Sequence, residues 1–246
     1  MKKSLTVFTA LSAIFAALPQ SSQANVIITG TRVVYRQSDR EVTVKLDNVG
    51  NLPALVQVWA DRGDEKSSPT KADAPFLITP PISRIDPAKG QAIRLMFTGE
   101  KLPADRETVF WLNVLDVPPV PKTADTNYIQ LAIRSRIKLF YRPSKLPGNP
   151  EEAAKGLKWS LLSQDKGFIL RAENSSAYSV SMNYAAIEVG GQQYKTTGGM
   201  VLPFASADFP LPGLKTKPAI NSNSSVKYET VNDYGGPLEL SAIPKI

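Results

Sequence analysis

Whatever chemistry this 246-residue chain performs, it performs without histidine and without cysteine, since it contains neither. That removes the usual proton shuttle and the commonest metal ligand. It also removes thiol nucleophiles, disulfides and thiolate zinc sites. Serine, lysine, arginine and carboxylates remain. Ser135-Arg136-Ile137-Lys138 spells S-x-x-K, an acylation motif. The motif works at a helix start, where positions i and i+3 share a face, but here the surrounding alternation has period 2, which sends Ser135 and Lys138 to opposite faces. No S-D-N follows, and Lys195-Thr196-Thr197-Gly198 is not K-T-G. Asp61, Asp64 and Glu65, and likewise Glu151 and Glu152, sit in polar stretches that read as solvated surface. A glycosidase-type pair would need a cleft around them. The expectation is no catalytic residue, no metal site and no cofactor.

Two cations are placed differently. Arg32 lies between Thr31 and Val33 at the head of an apolar run, and Lys138 lies inside a long alternating one. Singly, each reads as a residue on a solvated face. Brought together in a partly desolvated cleft, they would grip a carboxylate. Arg134, Arg136, Lys138 and Arg142 form the only dense basic cluster, it lies in the long alternating strand, and an exported protein has no obvious nucleic acid to meet. The formal charge of +7 therefore reads as a basic surface with no nucleic-acid partner.

The element that must carry Lys138 runs from Tyr128 to Pro143, YIQLAIRSRIKLFYRP. Ile129, Leu131, Ile133, Ile137 and Leu139 alternate with Gln130, Ala132, Arg134, Arg136 and Lys138, the period of a two-faced β-strand. At ~3.3 Å per residue it would reach about 50 Å, more than one domain face needs. The row Ile129, Leu131, Ile133 is either core of its own sandwich or an edge offered to a partner strand. In the second case, burying three such side chains supplies ~5–9 kcal/mol gross, before ordering costs.

The remaining chain reads as short strands: 26–35, 41–46, 55–60, 76–85, 92–97 and 108–114, then 157–162, 167–174, 178–189, 192–196, 225–231 and 238–242. Thr79-Pro80-Pro81 demands an edge strand or a kink, with room for one cis bond. Gly190-Gly191 signals a hairpin. Residues 151–156 suit a single helical turn. Pro143–Pro150 holds three prolines and a glycine in eight residues and reads as a linker. This pattern predicts an all-β chain of two sandwiches, residues 25–144 and 145–246. Lys2 and Lys3, the apolar run from Leu5 to Leu18, and the small-x-small triplet Ser22-Gln23-Ala24 read as a cleavable secretory leader, residues 1–24. The mature chain then starts at Asn25, with no stretch for membrane insertion.

Five motifs in order now point to a family: Thr31-Arg32-Val33; Thr79-Pro80-Pro81; residues 103–113, PADRETVFWLN; residues 137–143, IKLFYRP; and residues 231–236, VNDYGG. Over essentially the whole mature length the chain resembles the periplasmic pilus-assembly chaperones of the PapD-like family. The resemblance implies two immunoglobulin-like domains in a boomerang arrangement. It implies a non-enzymatic periplasmic protein that binds and folds pilin subunits by donating a β-strand, then delivers them to an outer-membrane usher for fimbria assembly. Arg32 and Lys138 match the anchor of the subunit's C-terminal carboxylate. Ile129, Leu131 and Ile133 match the donor residues. Glu107, Arg142 and Asp233 match an interdomain ionic trio. The loop 117–127 resembles the family's short form, which serves rod-like pili. Lys138 has the opposite parity to the donor row, so either a bulge or strong twist between Ser135 and Lys138 brings both to one face, or the anchor and the row act from different faces. A free edge also invites a self-capping homodimer. The competing reading, a structural fimbrial subunit or adhesin, expects a cysteine pair and an N-terminal donor extension. The chain has no cysteine, and Asn25 leads directly into a strand.

Overall fold

In a computed structural model, residues 25–120, 129–164, 167–189, 191–215 and 224–245 are described. The chain begins β1 (Val26–Ile28), β2 (Arg32–Arg36), β3 (Val42–Asn48), β4 (Ala54–Asp61), β5 (Phe76–Thr79), β6 (Ile82–Ile85), β7 (Gly90–Phe97), β8 (Thr108–Val117) and β9 (Ile133–Arg142). These make two facing sheets, β1-β3-β7-β5 and β2-β9-β8-β4-β6. Alternate residues close the space between them: Leu46, Ile93, Leu95, Phe110, Leu112 and Leu139 have no solvent exposure. At one end Tyr35, Phe76, Phe97, Phe110 and Tyr141 form a chain of ring contacts, the closest at 4.4 Å. The Tyr35 hydroxyl is satisfied there, donating toward the Asp39 and Arg40 carbonyls at 3.0 Å and accepting from Phe97 N at 3.1 Å.

Thr79–Pro80 is a cis bond, and the double proline divides the expected 76–85 strand. β5 and β6 fall at the edges of opposite sheets, where a strand tolerates residues without an N–H.

The second sandwich follows α1 (Pro150–Lys155) with β10 (Lys158–Gln164), β11 (Gly167–Asn174), β12 (Val180–Val189), β13 (Gln192–Lys195), β14 (Gly199–Val201), β15 (Ala205–Leu211), β16 (Val226–Val231) and β17 (Pro237–Ala242). One sheet is β10-β11-β15 and the other β13-β12-β16-β17, with β14 also on β12. The Asn149 side chain caps α1 by accepting from Glu152 N at 2.9 Å, Pro150 opens it, and it buries Ala153 and Ala154. Trp159, Leu170, Ile187 and Tyr228 fill the core, with the Tyr228 hydroxyl donating to the Ala154 carbonyl at 3.0 Å.

Three expectations need correction. The strand expected from Tyr128 begins at Ile133 instead: among the described residues, 129–132 have no strand partner, and Tyr128 itself lies outside the described residues, as does most of the loop 117–127. β14 and β15 fall where no strand was expected. Pro203, Pro210 and small polar residues mask the alternation, yet Phe209 and Leu211 are buried and β15 pairs along its whole length with β11. Asp61 was expected to be solvated, but it ends β4 with no exposure at all.

Candidate functional site

The site grows from one pairing. β2 runs parallel to β9, and its first residue, Arg32, lies directly opposite Lys138. Beyond that point β2 has not begun. Residues 133–137 of β9 therefore pair with β8 on one side, from Ile133↔Asp116 to Ile137↔Leu112, while among the described residues no strand takes the other side. Their outward N–H and C=O groups form an open edge that ends at Arg32 and Lys138.

The β8–β9 register is unbroken from Ile133 to Tyr141, so no bulge lies between Ser135 and Lys138. Strict alternation then sorts the side chains. Ile137, Leu139 and Tyr141 pack on the core, and Ile133 and Ser135 share their parity. Arg134, Arg136, Lys138, Phe140 and Arg142 take the other face. Ile129 and Leu131, ahead of the strand, are 88% and 61% exposed, so they are not core of their own domain.

On the cationic face Arg136 and Arg142 are matched by carboxylates, and Arg134 donates to the Ser67 and Glu65 carbonyls. Arg136 donates to Asp61 Oδ1 at 2.6 Å and stacks 4.3 Å over Trp111. Asp61 also accepts from Asn113 Nδ2 and from Gly63 N, both at 2.7 Å, which explains how a fully buried carboxylate is accommodated. Arg142 joins the domains: its Nε donates to Glu107 Oε1 at 2.6 Å, and Nη1 and Nη2 donate to Asp233 at 2.7 and 2.8 Å. The other Glu107 oxygen accepts from Ser179 N at 2.8 Å. Burial pushes the Glu107 carboxyl up against the pull of Arg142. Burial works against the Arg142 charge as well, but its hydrogen bonds and the two carboxylates outweigh it and hold the guanidinium above its usual range.

Arg32 and Lys138 are less fully partnered. Among the described residues neither has a carboxylate within 4 Å. Each instead reaches across to the second domain with a single bond, Arg32 Nη1 to the Val231 carbonyl and Lys138 Nζ to Ser181 Oγ, both at 2.8 Å. Arg32 Nε is buried without a partner. Burial, and then the neighbouring Arg32 charge, draws Lys138 down to about 8. Burial also lowers Arg32, with Asp233 pulling the other way. Two half-buried cations side by side, with unspent donors, have the charge and donors that an anion such as a carboxylate would need.

Ser135 and Lys138 face opposite ways, so the S-x-x-K reading has no geometry. Ser181, Trp111 and the Val231 carbonyl were not found from sequence. Trp111 stands opposite Lys138 in register, a signal that appears only once β8 and β9 are aligned.

The sequence model described as "Pili and flagellar-assembly chaperone, PapD N-terminal domain" matches residues 25–147, and that for the PapD C-terminal domain matches residues 152–242. The probable fimbrial chaperone YadV of Escherichia coli K12 is 44% identical over 92% of both chains. The chaperone protein FimB/FhaD of Bordetella pertussis is 40% identical over 92% of this chain and 90% of its own. The crystal structure of the YadV chaperone superposes with a TM-score of 0.76, covering 89% of this chain and 98% of that one. The Salmonella enterica SafB chaperone, solved in complex with the SafA pilin, is 28% identical with a TM-score of 0.73 over 91% and 98% of the two chains.

Proposed function

This chain belongs to the PapD-like pilus-assembly chaperones, and on that footing we propose that it captures pilin subunits by lending them a β-strand while Arg32 and Lys138 hold the subunit's terminal carboxylate. The open edge of β9 carries the proposal. A subunit strand added along residues 133–137 meets the start of β2 head-on. The chain end arriving there lies between two cations, so it is a carboxyl end, and the added strand runs parallel to β9. Ile129 and Leu131 extend ahead of that edge, free to enter an apolar groove in the subunit, and Ile133 continues the row. Anchor and donor row thus act from different aspects of one strand, and no bulge is required.

The same reading places the protein in the periplasm after leader removal, treats residues 25–144 and 145–246 as its domains, and has it pass loaded subunits to an outer-membrane usher. When free, the edge can be capped by a second copy. Glu107, Arg142 and Asp233 set the angle between the domains. The relatives are named as chaperones, and the role needs no catalytic group.

A synthetic peptide of alternating apolar residues tests the anchor. With a free terminal carboxylate it should bind the mature chain at least tenfold more tightly than its C-terminal amide, the scale of a charge-assisted contact. Equal affinities would overturn the anchor.

A further inference from the structure

Asp116 is a buried carboxylate that the capture mechanism does not use. It is 6% exposed, and among the described residues no Lys or Arg lies within 4 Å. Its Oδ2 accepts from the main-chain nitrogens of Asn25 and Val26, both at 3.2 Å, and its Oδ1 is buried with no partner. A buried carboxylate with no cation and an orphan oxygen is costly.

The nitrogen beside it is that of Asn25, the residue following the small-x-small triplet and the first residue of the family match. We infer that cleavage at the Ala24–Asn25 bond completes a buried ion pair: the new α-ammonium of Asn25 docks on Asp116 and locks β1 across the sandwich. This rests on the reading that the chain is exported and its leader removed. Within a precursor, the Asn25 nitrogen is a neutral amide with one N–H. After processing, the same atom carries a full charge and three N–H donors, enough to serve Oδ2 and the orphan Oδ1 together.

The terminus is held in place for this role. The Asn25 carbonyl accepts from Val49 N at 2.7 Å, and Val26 is buried in register with Asn48. Gly50 packs so closely that a β-carbon there would lie 2.4 Å from Asn25 Oδ1. β1 and β8 belong to opposite sheets, so the pair ties the two layers together. Asp116 is also the register partner of Ile133, the first residue of the open edge. Leader removal therefore stiffens the sandwich at the root of the strand to be lent.

The test begins with the intact mass and N-terminal sequence of the periplasmic protein. A start anywhere but Asn25 overturns the inference. The mature chain is then compared with its Nα-acetylated form and with a form retaining Ala24, by hydrogen exchange of the β1 and β3 amides. The free Asn25 terminus should exchange roughly tenfold more slowly than either, on the modest end of what breaking a buried pair costs. The gap should close in Asp116→Asn. It should also fade as pH rises: an ammonium gaining a partner has its pKa raised, so its stabilisation is complete below the ordinary α-amino value of about 8 and is lost above the folded value. Equal exchange in the three forms, or a gap that survives in Asp116→Asn, would overturn the ion pair even where processing at Asn25 is correct.

Discussion

At the scale of single residues, Lys138 carries the sharpest consequence. Its ammonium sits in the free cleft with a pKa of about 8, against an ordinary 10.5. Two signs follow. For folding, the native state binds fewer protons than the unfolded state between about 8 and 10.5, so this group makes the protein more stable as pH rises through that window. For capture the sign reverses, because only the ammonium holds a carboxylate. Affinity for a carboxylate-terminated peptide should be flat below neutrality and fall as pH climbs past 8. The fall begins at the free-state value and levels off only above the bound-state value, which the carboxylate raises by stabilising the charge. In Lys138→Arg the guanidinium keeps its proton, so the profile should stay flat to pH 10 whatever the absolute affinity. Calorimetric titration across pH 6–10 decides it, and an equally steep fall in the arginine variant would assign the titration elsewhere.

At the scale of elements, β9 shows what a sequence reveals about a strand and what it withholds. Alternation from Ile129 to Leu139 is plain in the residues, and so is the opposed parity of Lys138. Where the strand begins is not, because a strand exists only where a neighbour pairs with it: β8 takes it up at Ile133, and among the described residues, 129–132 have no strand partner. The same limit hid β15, whose Pro210 conceals an edge strand that pairing with β11 makes plain. Asp61 was misread for a related reason. Charge and a following turn suggest solvent, and only the register of β8 and β9 brings Asn113 and Arg136 onto it. Arg32 and Lys138 were legible as odd cations in apolar runs, but their adjacency comes from a parallel pairing across more than a hundred residues. The exposed donor row makes its own prediction. Leu131→Glu touches little in the free protein, so thermal unfolding should shift by no more than ~0.5 kcal/mol, the usual range for a surface change. Pilin co-purifying with the variant from periplasm should fall at least tenfold. A variant that melts early would return Leu131 to the core, and one that still retains pilin would remove it from the donor row.

At the scale of the whole molecule, the cleft has the right shape only while the domains hold their angle, and three sets of contacts bear on that. Glu107 donates its N–H to the Ala177 carbonyl at 2.9 Å and accepts from Ser179 N at 2.8 Å on its carboxylate; Arg32 and Lys138 each make one bond across; and Arg142 clamps Glu107 and Asp233. Only the last joins opposite charges. Within it the two carboxylates are unequal. The Glu107 side chain is 1% exposed and belongs to the same domain as Arg142, whereas Asp233 is 30% exposed and comes from the other. Removing the Asp233 charge therefore leaves a neutral Arg142–Glu107 pair inside domain one and takes away the ionic link between domains. Removing Arg142 strands a buried carboxylate. Asp233→Asn should accordingly lower unfolding stability by only ~1 kcal/mol while broadening the distribution of interdomain angles. Arg142→Ala should cost about 3–5 kcal/mol. Small-angle scattering separates the two roles: a larger radius of gyration for Asp233→Asn at nearly unchanged melting temperature marks an orienting contact. An unchanged scattering profile would assign the interdomain angle to the neutral crossings at Ala177, Val231 and Ser181 instead.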